Sequence, residues 1–186
     1  MKRKFFLVVS FILTFCFLFA FSACKSEEEN KADIKAVFTG STKSFEAEGL
    51  SVRLDTSFKT VANNKYSLKC ENNNLEFTAF YIEKYYFENK DVNTPAQALK
   101  YAKVGEEYGG EHYTNRYGKA CVEYLYDYSE EGRTDTYHMY YVCIEDEERF
   151  WFCCFYSPEI YFEEYRNNIE EYSNSLVAVY NREETE

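Results

Sequence analysis

Seven consecutive residues, Phe150-Trp-Phe-Cys-Cys-Phe-Tyr156, carry no charge and are bulky or sulfur-bearing throughout. A strand with one wet face alternates apolar and polar residues; this run does not alternate, so both of its faces must be covered. A single sheet lying on solvent is thereby excluded. The run ends in Ser157-Pro158, and a helical pattern follows at once. Each face of the strand therefore needs a cover.

The neighbourhood of that strand reads as an antiparallel meander. KACVEYLYDYS, the turn EEGRTD, TYHMYYVCIE, the turn DEE and RFWFCCFYS give three strands with charged connections, the first containing Gly132. Ala120, Val122, Tyr124, Tyr126 and Tyr128 share one face of the first strand. Cys121, Glu123, Leu125 and Asp127 share the other. Upstream, Phe45 to Leu54 reads as a strand, a turn at Gly49 and a second strand, in which Leu50, Val52 and Leu54 alternate with Ser51 and Arg53. Tyr66 to Cys70 continues the alternation, Asn72-Asn-Asn74 breaks it, and Leu75 to Tyr81 resumes it.

Two helices fit the remaining pattern. Thr94-Pro95 opens the first, with threonine as cap and proline at the first helical position. Pro95, Ala98, Leu99 and Ala102 give its stripe, and Gly105 its stop. Ser157-Pro158 opens the second by the same logic, with Phe162, Tyr165, Ile169, Tyr172 and Leu176 at alternating steps of three and four. Ser175 to Val179 either extends that helix or forms a short closing strand.

The N-terminus is of another kind. Lys2, Arg3 and Lys4 precede an uncharged apolar run from Phe5 to Phe21. A spanning helix needs about 20 such residues. The run ends Phe21-Ser22-Ala23-Cys24, which resembles the lipobox of bacterial lipoproteins, although Phe21 stands where an aliphatic residue is usual. The resemblance implies cleavage between Ala23 and Cys24 and a diacylglycerol on the Cys24 thiol, tethering the chain to a membrane without a spanning segment. Ala20-Phe21-Ser22 offers a rival cut for ordinary secretion, and a retained helix is the third reading. The division expected is a signal peptide over 1–23, an acidic solvated tether over 24–43, one α+β domain over 44–180 and a tail over 181–186.

Removing residues 1–23 takes three basic residues and no acidic one, leaving 18 Lys and Arg against 32 Asp and Glu, a formal charge of −14. Nucleic acid is excluded as a partner, because phosphate neutralisation needs a basic surface. Every one of the 19 tyrosines stays with the remaining 163 residues. Five cysteines remain besides Cys24: Cys70, Cys121, Cys143, Cys153 and Cys154. An odd set without a CxxC reads as small buried hydrophobes rather than as a disulfide frame or metal ribbon.

The order of elements resembles the PsbP-like α/β/α fold of small bacterial lipoproteins and of a Ran-binding nuclear-transport factor. The carriers are the GLSVRL entry hairpin, the TPAQAL helix, the three-strand meander and the closing FEEYRNNIEEYSNSLVAV with its Ser175-Leu176-Val177 tail. The match runs from Ser44 to Val179 and departs at Asp55, where members often carry proline. It implies an antiparallel sheet flanked by helices, binding or accessory roles, and no shared catalytic residue or cofactor.

Candidates for chemistry are few. His112 lies in Gly109-Gly-Glu-His112, beside Glu107 and Glu111, on what reads as a loop, a weak metal-ligand pattern. His138 shares a strand face with Tyr140 and Val142 and reads as a satisfied, partly buried imidazole; a nucleophilic pair with Cys121 is the sharper alternative. Glu145-Asp-Glu-Glu148 lacks the alternating ligands and glycine of a calcium loop and reads as a solvated turn. The expectation is an extracytoplasmic, membrane-tethered module binding an envelope protein or small ligand, with no catalytic, metal or cofactor residues. The alternatives are a cell-surface hydrolase or metal enzyme using His112 or His138, and a scaffold subunit of an envelope complex.

Overall fold

The computed structural model describes residues 34–130 and 133–179; Cys24, the signal segment and the tail from 180 lie outside them. Ten strands and two helices follow in order: β1 (Thr42–Ala47), β2 (Leu50–Asp55), β3 (Lys59–Thr60), β4 (Leu68–Asn72), β5 (Leu75–Glu83), α1 (Pro95–Tyr101), β6 (Glu111–Thr114), β7 (Ala120–Glu130), β8 (Arg133–Glu145), β9 (Arg149–Pro158), α2 (Glu159–Ser175) and β10 (Val177–Ala178). The main sheet is antiparallel in the order β3-β4-β5-β9-β8-β7-β6, and β1-β2-β10 form a second, three-stranded sheet.

β9 sits at the centre of the main sheet, which is why it is apolar on both sides. Trp151, Cys153 and Phe155 pack against β2 and α2, with Val52, Leu54, Phe162, Ile169 and Tyr172. Phe150, Phe152 and Cys154 face the opposite way, toward Phe87, Ala98, Leu99 and Ala102 around α1. Adjacent Cys153 and Cys154 thus belong to different cores, as the pleat requires. The fold is α+β, with the antiparallel sheet between two covers.

Local chemistry sets the ends of these elements. Thr94 accepts a hydrogen bond from the Gln97 backbone N–H and caps α1. The expected cap of α2 by Ser157 is not formed. β9 keeps its ladder with β8 as far as Tyr137↔Pro158, so Ser157 is buried in the sheet and its hydroxyl bonds the Pro158 carbonyl. At the C-terminal end of α2 the carbonyls of Ser173, Asn174 and the following Leu176 accept from the Lys119 ammonium at 2.7, 2.9 and 2.9 Å. After Leu176 the chain turns extended and β10 pairs with β2, Val177↔Ser51 and Ala178↔Leu50, so the closing segment is a strand.

Gly49 carries φ +90° between β1 and β2, and a Cβ there would lie 2.2 Å from the Val179 carbonyl oxygen. The Val179 N–H in turn donates to Gly49 O at 2.9 Å. Gly49→Ala therefore meets both left-handed strain and a backbone clash, and a stability loss of about 2 kcal/mol or more is expected in urea denaturation. A change within 0.5 kcal/mol would mean that β10 is not held here.

Part of the stretch read as tether is docked. The Ala36 N–H donates to the Tyr165 hydroxyl at 2.8 Å. Asn72 bonds both the N–H and the carbonyl of Val37, at 3.2 and 2.8 Å. Asp55 accepts from the N–H groups of Thr39, Gly40 and Ser57 at 2.9, 3.0 and 2.9 Å. Burial by itself would raise the Asp55 carboxyl, but these bonds and those of the Ser57 and Thr39 hydroxyls hold it at about 2. Asp55 thus has a structural role: it fastens the incoming strap.

Candidate functional site

The densest assembly of chemistry-bearing side chains lies where β6, β7 and β8 meet α2. Glu123 on β7 projects to the α2 face. Its Oε2 lies 2.8 Å from His138 Nε2 on β8, so that ring nitrogen carries the proton. Arg166 of α2 straddles both carboxylate oxygens, with contacts of 3.1 and 3.1 Å, a fork that aligns with a carboxylate in two places at once. Tyr113 of β6 donates its hydroxyl to Oε1. The His138 ring lies parallel to the Phe162 ring, centroids 3.6 Å apart, and the Arg166 guanidinium sits 5.0 Å from the Phe162 ring.

Electrostatics follow from that crowding. Burial pushes the Glu123 carboxyl up, but bonds from His138, Arg166 and Tyr113 outweigh it and hold the group at about 2. Burial and the bond to Glu123 push the Tyr113 phenol well up. Arg166 is raised, first by its bond to Glu163, which it contacts at 2.8 Å. Each lone pair of Glu123 that could act as a base is engaged, and each partner is oriented by that carboxylate. The arrangement is a strut joining three strands to a helix.

The two histidines occupy opposite faces of the sheet. His112 belongs to strand β6 rather than to a loop, opposite Val122. It lies near Lys100 and Glu106, and its imidazole is lowered by burial and by Lys100. His138 faces α2. Cys121 pairs across the ladder with Val142, not His138, and its Sγ lies 3.5 Å from the Tyr140 hydroxyl; burial lifts the thiol to about 11. A His138–Cys121 couple is therefore absent from the geometry. All five cysteines are buried and unbridged. Among the described residues, no three His, Cys, Asp or Glu side chains converge as a metal would require.

The acidic turn after β8 differs from the solvated reading. Asp146 is buried, accepting from Arg149 Nε at 2.9 Å, Trp151 Nε1 at 3.0 Å and the N–H groups of Glu148 and Arg149. Arg149 continues to the Glu48 carbonyl at 2.9 Å, tying this turn to the β1–β2 turn. Burial alone would raise Asp146; Trp151 and Arg149 hold it below the ordinary range. The Glu123 strut was likewise missed. Its three partners lie 10, 15 and 43 residues away in sequence, and only the position of Glu123 between Cys121 and Leu125 on one strand face hinted at it.

No family profile matches the sequence, and no curated protein matches it either. Solved structures match the fold. The solution structure of cyanobacterial PsbP, CyanoP, from Synechocystis sp. PCC 6803 aligns with a TM-score of 0.51 at 10% identity, over 78% of this chain and 96% of that one. A crystal structure from Bacteroides thetaiotaomicron aligns with a TM-score of 0.49 at 20% identity, over 77% of this chain; the chain spans 50% of that protein's length. LpqN, involved in cell envelope biogenesis of Mycobacterium tuberculosis, gives 0.43 at 10% identity, over 83% of this chain and 98% of that one. The fold is like that of CyanoP. At these identities the likeness concerns the fold.

Proposed function

We propose that this chain is a lipid-anchored, extracytoplasmic accessory module that binds a protein or small ligand without turning it over. The observation that supports this most is Glu123. The cluster around Glu123 has the residue types of acid–base chemistry but is closed on itself, its carboxylate filled by Arg166, His138 and Tyr113, whereas a general base must reach a substrate proton. The PsbP-like fold is in keeping with such a role by analogy. Within this reading Cys24 carries the lipid, the acidic segment after it serves as the tether, and residues 35–41 fasten the domain to it, with Lys35 paired to Glu164 and its carbonyl accepting from Asn73.

Mass spectrometry of the mature N-terminus tests the anchor. A diacylated Cys24 as first residue is expected, and an unmodified chain beginning at Ala23 or Cys24 would contradict it. Turnover of a cell-surface substrate that disappears in His112→Ala or His138→Ala would instead establish the enzyme.

A further inference from the structure

Residues 35–40 precede β1 and belong to neither sheet, yet side chains of the domain grip their backbone group after group. Asn73 donates to the Lys35 carbonyl at 2.8 Å, and the Ala36 N–H donates to the Tyr165 hydroxyl at 2.8 Å. The Asn72 amide takes both groups of Val37, accepting from its N–H at 3.2 Å and donating to its carbonyl at 2.8 Å. Asp55 Oδ2 then accepts from the N–H groups of Thr39 and Gly40 at 2.9 and 3.0 Å. Asn72 and Asp55 are themselves buried, 5% and 2% exposed. A neighbouring strand reads a main chain through its own main chain; here side chains do so.

The strap's own side chains are seated alternately. Ala36 is buried in the core cluster that holds Tyr165, and Phe38 packs against the same cluster, its ring edge-on to Tyr165 at 5.5 Å. Val37 between them is 61% exposed. Lys35 reaches Glu164 of α2 at 2.5 Å. The groove between α2 and the β4–β5 turn thus matches a cation, then a small residue, then, after one unselected position, an aromatic one. Main-chain bonds for attachment and seats for alternate side chains are the two parts of an extended-peptide site.

We infer that this groove is a recognition site for an extended segment of a partner protein with the pattern basic–small–any–aromatic, and that residues 35–40 are its intramolecular plug. Val37, Thr39 and Gly40 are exposed where they sit, so water reaches the groups that release uncovers and replaces their lost bonds. Gly40, at φ +78° with open space where a Cβ would stand, supplies the hinge ahead of β1. Being joined to the domain, the plug competes at an effective concentration on the order of 1 mM. A partner enters when it binds more tightly than that or when the plug is drawn out. Charge selects a partner over a second copy: two chains of formal net charge −11 repel, while a basic segment is drawn in. This names the partner class for the accessory role proposed above and rests on that reading. If the groove takes no segment, the accessory role is left to another surface, and the discovery of turnover would leave binding at the groove untouched.

Fluorescence anisotropy of a labelled hexapeptide, Lys-Ala-Val-Phe-Thr-Gly, tests it on the full chain. The double variant Ala36→Asp, Phe38→Ser, whose plug no longer fits, is expected to bind this peptide at least tenfold more tightly than the parent chain does. N-methylation at the peptide's valine removes the N–H that Asn72 accepts and should weaken binding at least tenfold, as should alanine in place of its phenylalanine. Equal affinity for parent and variant, or indifference to N-methylation, would overturn the assignment. Native-state hydrogen exchange of the parent chain decides the matter even if the variant fails to fold. The amides of Ala36, Val37, Thr39 and Gly40 should exchange at least a hundredfold faster than those of Phe152 and Cys153 at the centre of the sheet. Equal protection would mean that the strap opens only with the whole domain, and the site would fall. Protection of the strap amides that rises with protein concentration would give the groove to a second copy and overturn it as well.

Discussion

Asp146→Ala is expected to lower folding stability by about 3–5 kcal/mol, the range for removing one partner of a buried ion pair. The side chains of Asp146 and Arg149 are only 2% and 9% exposed, and they meet at 2.8 Å. Without the carboxylate, the guanidinium keeps the Glu48 carbonyl and its place 4.9 Å from the rings of Tyr81 and Trp151. Trp151 Nε1 loses its acceptor in the same stroke. Because Arg149 also ties the β8–β9 turn to the β1–β2 turn, the loosening should reach both sheets. Urea denaturation reads the effect directly. A loss below 1 kcal/mol would mean that the turn is solvated after all.

Glu123→Ala is expected to cost about 2–4 kcal/mol, since it strands His138, Tyr113 and part of Arg166 at a half-buried joint. The lower end reflects Glu163, which still engages the Arg166 guanidinium. The sign of the pH dependence follows from the depressed carboxyl. Unfolded, Glu123 titrates near the ordinary glutamate value of 4.5; folded, it does so at about 2. Its contribution is therefore fully present above about pH 4.5 and is lost as pH falls toward 2. Asp55, lowered from 3.8 to about 2, loses its contribution in nearly the same window. The acid limb of the stability curve should thus be shallower in Glu123→Gln than in the parent chain, though not flat. Parallel acid limbs would contradict the assignment.

The elements that sequence periodicity revealed are those whose burial is one-sided or complete over many residues. The stripe Phe162, Tyr165, Ile169, Tyr172 and Leu176 is wholly on the core side. β7 lies where its alternating faces placed it, and β9 where its two-sided apolar run did. β6 escaped because its four residues, Glu-His-Tyr-Thr, are all exposed and show no contrast between faces. The missing Ser157 cap has a related cause: cross-strand pairing with His138 extends β9 by two residues into the helix signal, and tertiary pairing outweighs a local cap. Polar joints were the least legible. Nothing local distinguishes Asp146 from Glu145, Glu147 and Glu148; only the arrival of Arg149 and Trp151 beneath the turn makes it internal. The strap at 36–41 was hidden likewise, since its partners, Asn72, Asp55 and Tyr165, belong to distant elements.

The strut character of Glu123 is tested most directly by a double-mutant cycle between Glu123→Gln and Arg166→Met in equilibrium urea denaturation. Each single change should destabilise, with a favourable coupling of about 1–3 kcal/mol between them. A coupling near zero, together with a Glu123→Gln variant as stable as the parent or more so, would contradict it. That outcome is the behaviour of a residue kept for chemistry at the expense of folding.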